Sequence, residues 1–464
     1  MNKKKISIII SLTILILFIY SIWAYYKSYK VINNLKEKYG YNTPCENMPP
    51  SVFQKEEWEG VIIDSDVLYT DGAHNIVPYD LDNDGQLELI ANSYRSDSLL
   101  IYKYSENPRS PKNWTRYVID QSVSGGIPLK PIIKFFKNMF RVKIVGGFLG
   151  AAHYTAITDM NEDNRKDLIV AGDYKSYDIV WFEAPENITK VSEWKKHVIY
   201  QNDSHRTYHV EVGDIDGDNN QDVVFSTKTD NSLGWLKNNK DSNKWSMTWI
   251  DLNCIRCFNA RVADLNKDGR QNIIASEDDS KNGGKLHLYS YSNDPTVQNN
   301  WNDRIIANFP VGHGVSIFEI EDIDKDGNMD IITGNHQGDI YIIRNPLPHN
   351  VKGEWRKYKI NNHNYRSCEN LREIDAGDLD GDKDLDIIVA DESKNQLVWF
   401  ENDGKTFNKN WKVHIIDKSD QYLKWNHAVG LGDIDGDGKL DIAVAACGSN
   451  IFFVYFNNII CNGK

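Results

Sequence analysis

Seven short acidic stretches carry the densest chemistry in this sequence, beginning at Asp80, Asp159, Asp214, Asp264, Asp322, Asp378 and Asp433. The last reads Asp433-Ile434-Asp435-Gly436-Asp437-Gly438-Lys439-Leu440-Asp441. Carboxylates at positions 1, 3, 5 and 9 converge on one point when position 6 turns sharply with positive φ, a conformation glycine adopts without penalty. Hard oxygen ligands at that density suit Ca²⁺, with the position-7 carbonyl as a further ligand. A hairpin turn accounts for Asp-Gly once, but not for this spacing seven times.

The candidate ligands are Asp80, Asp82, Asp84 and Glu88 in the first stretch and Asp159, Asn161, Asp163 and Asp167 in the second. Asp214, Asp216, Asp218 and Asp222 follow in the third, and Asp264, Asn266 and Asp268 in the fourth, which is expected to be weakest. The fifth offers Asp322, Asp324, Asp326 and Asp330, the sixth Asp378, Asp380, Asp382 and Asp386, and the seventh Asp433, Asp435, Asp437 and Asp441. Asn219 stands at the turn of the third, a position Asn tolerates, and Lys383 stands where the sixth wants glycine. An EF-hand needs Glu at position 12; here that position is Ala91 or Val444, inside an apolar run. Up to seven Ca²⁺ are therefore expected, and they would bring the formal charge of -13 to about +1. The acidity is mostly metal ligand, and it argues against nucleic acid, which rewards a basic face.

Each stretch needs a scaffold, and the surrounding repeats describe one. The stretches recur every 50 to 58 residues after a first interval of 79. Each leads into a β-branched run such as Leu168-Ile169-Val170 or Ile387-Ile388-Val389, then a polar turn and an aromatic run such as Val398-Trp399-Phe400. Short apolar runs bounded by Gly, Asn and Asp read as buried strands. A second marker has the same period: Trp followed five residues later by Ile, at Trp58, Trp114, Trp194, Trp245, Trp301, Trp355 and Trp411. It predicts a fourth, outer strand, making each repeat a propeller blade. A Trp-strand precedes the first acidic stretch and none follows the last, so the N-terminal strand is expected to complete the seventh blade and leave no open edge. The fold class is thus all-β, a seven-bladed β-propeller over residues 55–464 closed by an N-terminal strand, with an insertion near 124–147. The basic, apolar stretch Ile127–Val145 in that insertion predicts a helix packed on the propeller face, or a lid or membrane contact.

Lys3, Lys4 and Lys5 precede an uncharged run from Ile6 to Tyr26, long enough to cross a bilayer as a helix. Residues 1–27 are therefore expected to be a signal anchor, or a cleaved signal peptide, with 28–54 as linker and the propeller outside the cytoplasm. Six cysteines are present; Cys254 and Cys257 predict a local disulfide or two ordinary thiols, and Cys45 and Cys461 flank the closing joint.

The repeats resemble the FG-GAP/VCBS family of exported propellers and, more distantly, integrin α-subunit propellers. The motifs Gly432-Asp433-Ile434-Asp435-Gly436-Asp437-Gly438 and Leu440-Asp441-Ile442 carry the likeness, which spans about residues 55–458. It implies the propeller and the calcium loops but not an activity, because relatives include adhesins, sugar-binding propellers, polysaccharide lyases and an aldos-2-ulose dehydratase-like group.

In such a blade the innermost strand leads into the acidic loop, so its start lies at the opposite mouth of the central channel. His74, His153, Tyr208, Phe258, Ser316, Arg372 and His427 stand six residues before each first Asp, with His209 close by. His74, His153, His209, Arg372 and His427 are the candidate catalytic set, as base and clamp for β-elimination on a sugar; Zn²⁺ on two or three of these His is a lesser possibility. The alternative is that these side chains cap turns and pack between blades. The expectation is a calcium-binding module for carbohydrate or a cell-surface protein, tethered to the membrane by the N-terminal helix; a lyase or sugar dehydratase is the alternative.

Overall fold

A computed structural model describes residues 53–459, apart from 56, 121–150, 174–177, 202–206, 241–243, 280, 347–352, 362–370 and 420. The expected anchor, the linker as far as residue 52, the insertion and the Cys45–Cys461 pair lie outside the described residues. Among the described residues no helix is long and apolar enough to cross a membrane.

Seven antiparallel sheets form the seven blades. Six have four strands in sequence order, the first running from Ala73–Tyr79 to Trp114–Asp120. In each, the acidic stretch is the hairpin between first and second strands. The second strands, such as Asp222–Thr227 and Asp386–Asp391, are buried at every residue, as β-branched runs sandwiched between sheets should be.

The seventh blade joins the two ends of the chain. Asn426–Gly432, Asp441–Ala446 and Ile451–Asn457 come from the C-terminal part, and Trp58–Asp64 pairs with the last of them in the register Trp58↔Asn457 to Asp64↔Phe452. The expected circular closure is present. A further strand, Phe53–Lys55, pairs outside Trp58–Asp64, so this blade has five strands and the propeller begins earlier than residue 55.

The core lies between blades. Six buried apolar clusters each bridge two neighbouring blades; one joins Val61, Phe452 and Phe456 of blade 7 to Leu89, Leu100 and Trp114 of blade 1. The Trp marker serves this packing: six of its seven members are buried and Trp245 is half-buried. Cys254 and Cys257 are buried free thiols, the second of the two expected arrangements.

Candidate functional site

All seven acidic loops share one backbone form. Position 6 has positive φ throughout: Gly85, Asn164, Asn219, Gly269, Gly327, Lys383 and Gly438. Position 4 does too, at Asn83, Glu162, Gly217, Lys267, Lys325, Gly381 and Gly436, a second left-handed residue that the sequence reading missed. Two such residues bend the backbone around the position-1 carboxylate. In loop 1, Asp80 accepts the amides of Asp84 (3.1 Å) and Gly85 (3.0 Å).

Position 9 begins the second strand and is fully buried as Glu88, Asp167, Asp222, Asp330, Asp386 and Asp441. Asp441 accepts the amide of Ile434 at 2.9 Å and that of Asn457 at 2.9 Å, tying loop, second strand and third strand together. Burial pushes the carboxyls of Asp167, Asp222, Asp330 and Asp441 up to about 7 and that of Asp386 up to about 8. A neighbouring cation would draw them back down.

Loops also grip adjacent blades. The Asn345 side-chain amide donates to the Leu265 carbonyl in loop 4 (3.1 Å), and that of Asn457 to Leu379 in loop 6 (2.8 Å). Tyr104 donates to Ile434 in loop 7 at 2.8 Å. Stiffening one loop therefore stiffens the joint to the next blade.

Five loops bring three carboxylate oxygens within 4.8 Å of one another: Asp80, Asp82 and Glu88; Asp214, Asp216 and Asp218; Asp322, Asp324 and Asp326; Asp378, Asp380 and Asp386; Asp433, Asp435 and Asp441. Loops 2 and 4, which have Asn at position 3, form no such group among the described residues. Buried oxygens of Asp322, Asp330 and Asp433 have no hydrogen-bond donor. Such oxygens are costly unless a cation meets them, so the donor set fits a hard divalent ion.

The opposite mouth differs from expectation in its chemistry. The His74 and His427 rings lie tilted at 36° with centroids 3.9 Å apart, Tyr154 stands 6.0 Å from His74, and His209 lies 4.5 Å from Tyr154. The structure thus brings three of the candidate catalytic residues together around Tyr154. His74 and His209 are buried, at 4% and 1% exposure, while His427 is half-buried. Burial and the Arg261 charge hold the His209 imidazole well below its ordinary pKa. Arg372 pairs with Glu392. His153 lies in the innermost strand of blade 2, Ala151–Thr158.

Below the mouth runs a cavity of about 530 Å³ lined by innermost strands. Its walls carry Glu211, Glu319, Glu373 and Asp375 around one guanidinium, Arg261, which binds Glu211 at 3.0 Å and Glu319 at 2.7 Å. Burial raises Glu373 to about 8 and Asp375 to about 7. The sequence reading missed these acids. Their signal was present: Glu211, Arg261, Glu319 and Asp375 all stand three residues before a first loop Asp, facing the axis by strand alternation.

Seven blades around an axis, each turning on the same acidic hairpin, define a repeat propeller. Residues 159–225 and 378–444 match the FG-GAP-like repeat family, and the chain is an FG-GAP-repeat β-propeller. No curated protein matches it. Among solved structures it is similar to the crystal structure titled BBS1N in complex with ARL6DN, soaked with mercury, at 12% identity and a TM-score of 0.49, over 89% of this chain and 98% of that one. That likeness carries no argument about function.

Proposed function

We propose that this chain is a calcium-dependent binding module, displayed outside the cytoplasm, that holds a neutral carbohydrate on the face opposite its acidic loops. The observation that carries the reading is Trp425. It is 45% exposed on the connection entering blade 7, with φ of 51°, and its amide donates to Asn395 Oδ1 at 2.9 Å. The same left-handed turn recurs at Gly72, on Asn450, and Arg256, on Asn231, so it belongs to the blade connections, and Trp425 is the one of these three that carries an exposed indole. The turn presents the indole, with Lys424 Nζ 5.6 Å from its ring centroid, as an apolar face for the C–H face of a pyranose.

The same face carries the exposed side chains of Val67, Leu252, Ile255 and Val311 on other inter-blade connections. In the cavity beneath, Glu211 and Glu319 outnumber the single guanidinium of Arg261, an excess of acid that favours a neutral sugar over a uronate. Among the described residues His74 and His209 are buried, which disfavours that pair as the base of a lyase. Calcium rests on the loop geometry, and export on Lys3–Lys5 followed by the apolar run in the sequence.

The test is titration of the full chain in detergent with neutral and uronate hexasaccharides, beside W425A. The reading expects a neutral glycan to bind, W425A to lose at least tenfold in affinity, and the melting temperature of W425A to hold. Equal binding by W425A, or no glycan binding at all, would sink it and direct the search to surface proteins.

A further inference from the structure

One register position on the third strand sets which of its side chains lies beside each acidic loop, although loop 7 also receives Arg109, 2.7 Å from Asp435. The strand pairs Leu89↔Tyr102, Leu168↔Phe182, Val223↔Leu236, Ile273↔Tyr289, Ile331↔Ile343, Ile387↔Phe400 and Ile442↔Tyr455 are equivalent. The next residue along the third strand is Lys103, Glu183, Lys237, Ser290, Arg344, Glu401 and Phe456 in blades 1 to 7.

In blade 1 the Lys103 ammonium lies 2.8 Å from Asp82, 2.7 Å from Asp84 and 2.8 Å from Glu88. Those are the position-3, 5 and 9 carboxylates that a divalent ion would use. In blade 3 Lys237 contacts Asp216 and lies 2.5 Å from Asp218. Both lysines are about four-fifths buried, at 20% and 21% side-chain exposure. Arg344 repeats the pattern more loosely in blade 5, 3.0 Å from both Asp324 and Asp326 and 42% exposed.

Blade 6 has the reverse arrangement. Glu401 stands at this position, is held by Lys412 (2.7 Å) and His414 (2.5 Å), and adds negative potential at Asp380. Among the described residues no Lys or Arg pairs with Asp378, Asp380 or Asp386.

We infer that Lys103 and Lys237 are built-in cations that occupy the loops of blades 1 and 3 in place of a metal ion, leaving calcium to loops without one, blade 6 first. An ammonium and a divalent ion cannot share one carboxylate cage, because like charges a few ångströms apart in a partly buried site repel by several kcal/mol. Each lysine also brings its own charge at no cost in free ion concentration, so these two blades hold their shape at any calcium level. One oxygen each of Asp82 and Asp216 is still without a donor, so the lysine balances charge without filling every lone pair. The inference rests on the reading of the loops as cation sites, and it divides them.

The experiment is equilibrium dialysis of radioactive calcium against the detergent-solubilised full chain. K103M and K237M are each expected to bind one more ion per chain than wild type, and the double variant two more. D82N should leave the wild-type stoichiometry unchanged, which tests the point even if the methionine variants misfold, whereas D380N should lower it by one. Wild type binding at all seven loops, a drop by one in D82N, or no gain in folded K103M and K237M would overturn the inference while leaving the calcium reading intact. No ion bound by wild type or any variant would overturn both.

Discussion

The Tyr102 hydroxyl donates to Asp64 Oδ2 at 2.8 Å, bonding the third strand of blade 1 to the strand that closes blade 7. Arg116 meets the same carboxylate at 2.6 Å. The bond is not confined to the joint: Tyr289 donates to Asp251 and Tyr455 to Asp417, each at 2.7 Å and each across 38 residues. In these three blades a tyrosine therefore clasps an aspartate in the last two residues of the outer strand of the blade before it.

Removing the hydroxyl should loosen the joint. Y102F leaves the buried Asp64 carboxylate with one donor fewer, and a hydrogen bond to a charged group contributes about 1.5–3 kcal/mol. Urea denaturation should show a loss in that range with an unchanged slope. Unaltered stability in Y102F would mean that closure rests on strand pairing and apolar packing alone.

Lys383 is a bulky residue at φ of 78° in loop 6, where four of its counterparts are glycine. Among the described residues its side chain makes no hydrogen bond or ion pair, and the contact from Lys325 is to its backbone carbonyl, which glycine keeps. K383G should therefore stabilise the protein by about 1 kcal/mol, the strain relieved outweighing the added freedom of the unfolded chain. A melting temperature below that of wild type would show that the side chain matters after all.

Much of this frame could be read from the sequence, because it repeats. The acidic hairpins, the Trp-strands and the offset that predicts circular closure are periodic signals, and the blades follow them. Signals confined to one blade or set by pairing across strands were lost. Phe53–Lys55 is a three-residue strand with no counterpart elsewhere. Lys103 lies 23 residues from Asp80, and only the hairpin register brings it under the loop. Of the residues at the mouth, His74, His209 and His427 lie around Tyr154, and the first two are buried beside a cluster of Tyr154, Tyr208 and Phe258, a degree of burial that periodicity does not report.

The cavity acids make stability depend on pH in a defined direction. Glu373 faces Tyr154 at 3.4 Å and feels Arg261, Glu319 and Asp375, with Glu211 and His209 on the same wall. Burial raises it to about 8, against about 4.3 in an unfolded chain. The folded state then holds a proton that the unfolded state has lost, so stability falls as pH rises from about 4.3 to 8 and levels off above. With chelator present, E373Q should lose less stability than wild type between pH 5 and pH 8 by chemical denaturation. Equal losses would mean that Glu373 is ionised in the folded protein.

The claim on which the rest stands is that the acidic loops hold calcium. Calorimetric melting of the full chain with excess calcium and with chelator tests it most directly, since an ion bound only by the folded state raises the melting temperature. The account predicts a rise of several degrees with calcium, reduced in D380N. Identical melting in both conditions would contradict it and leave the seven loops as turns.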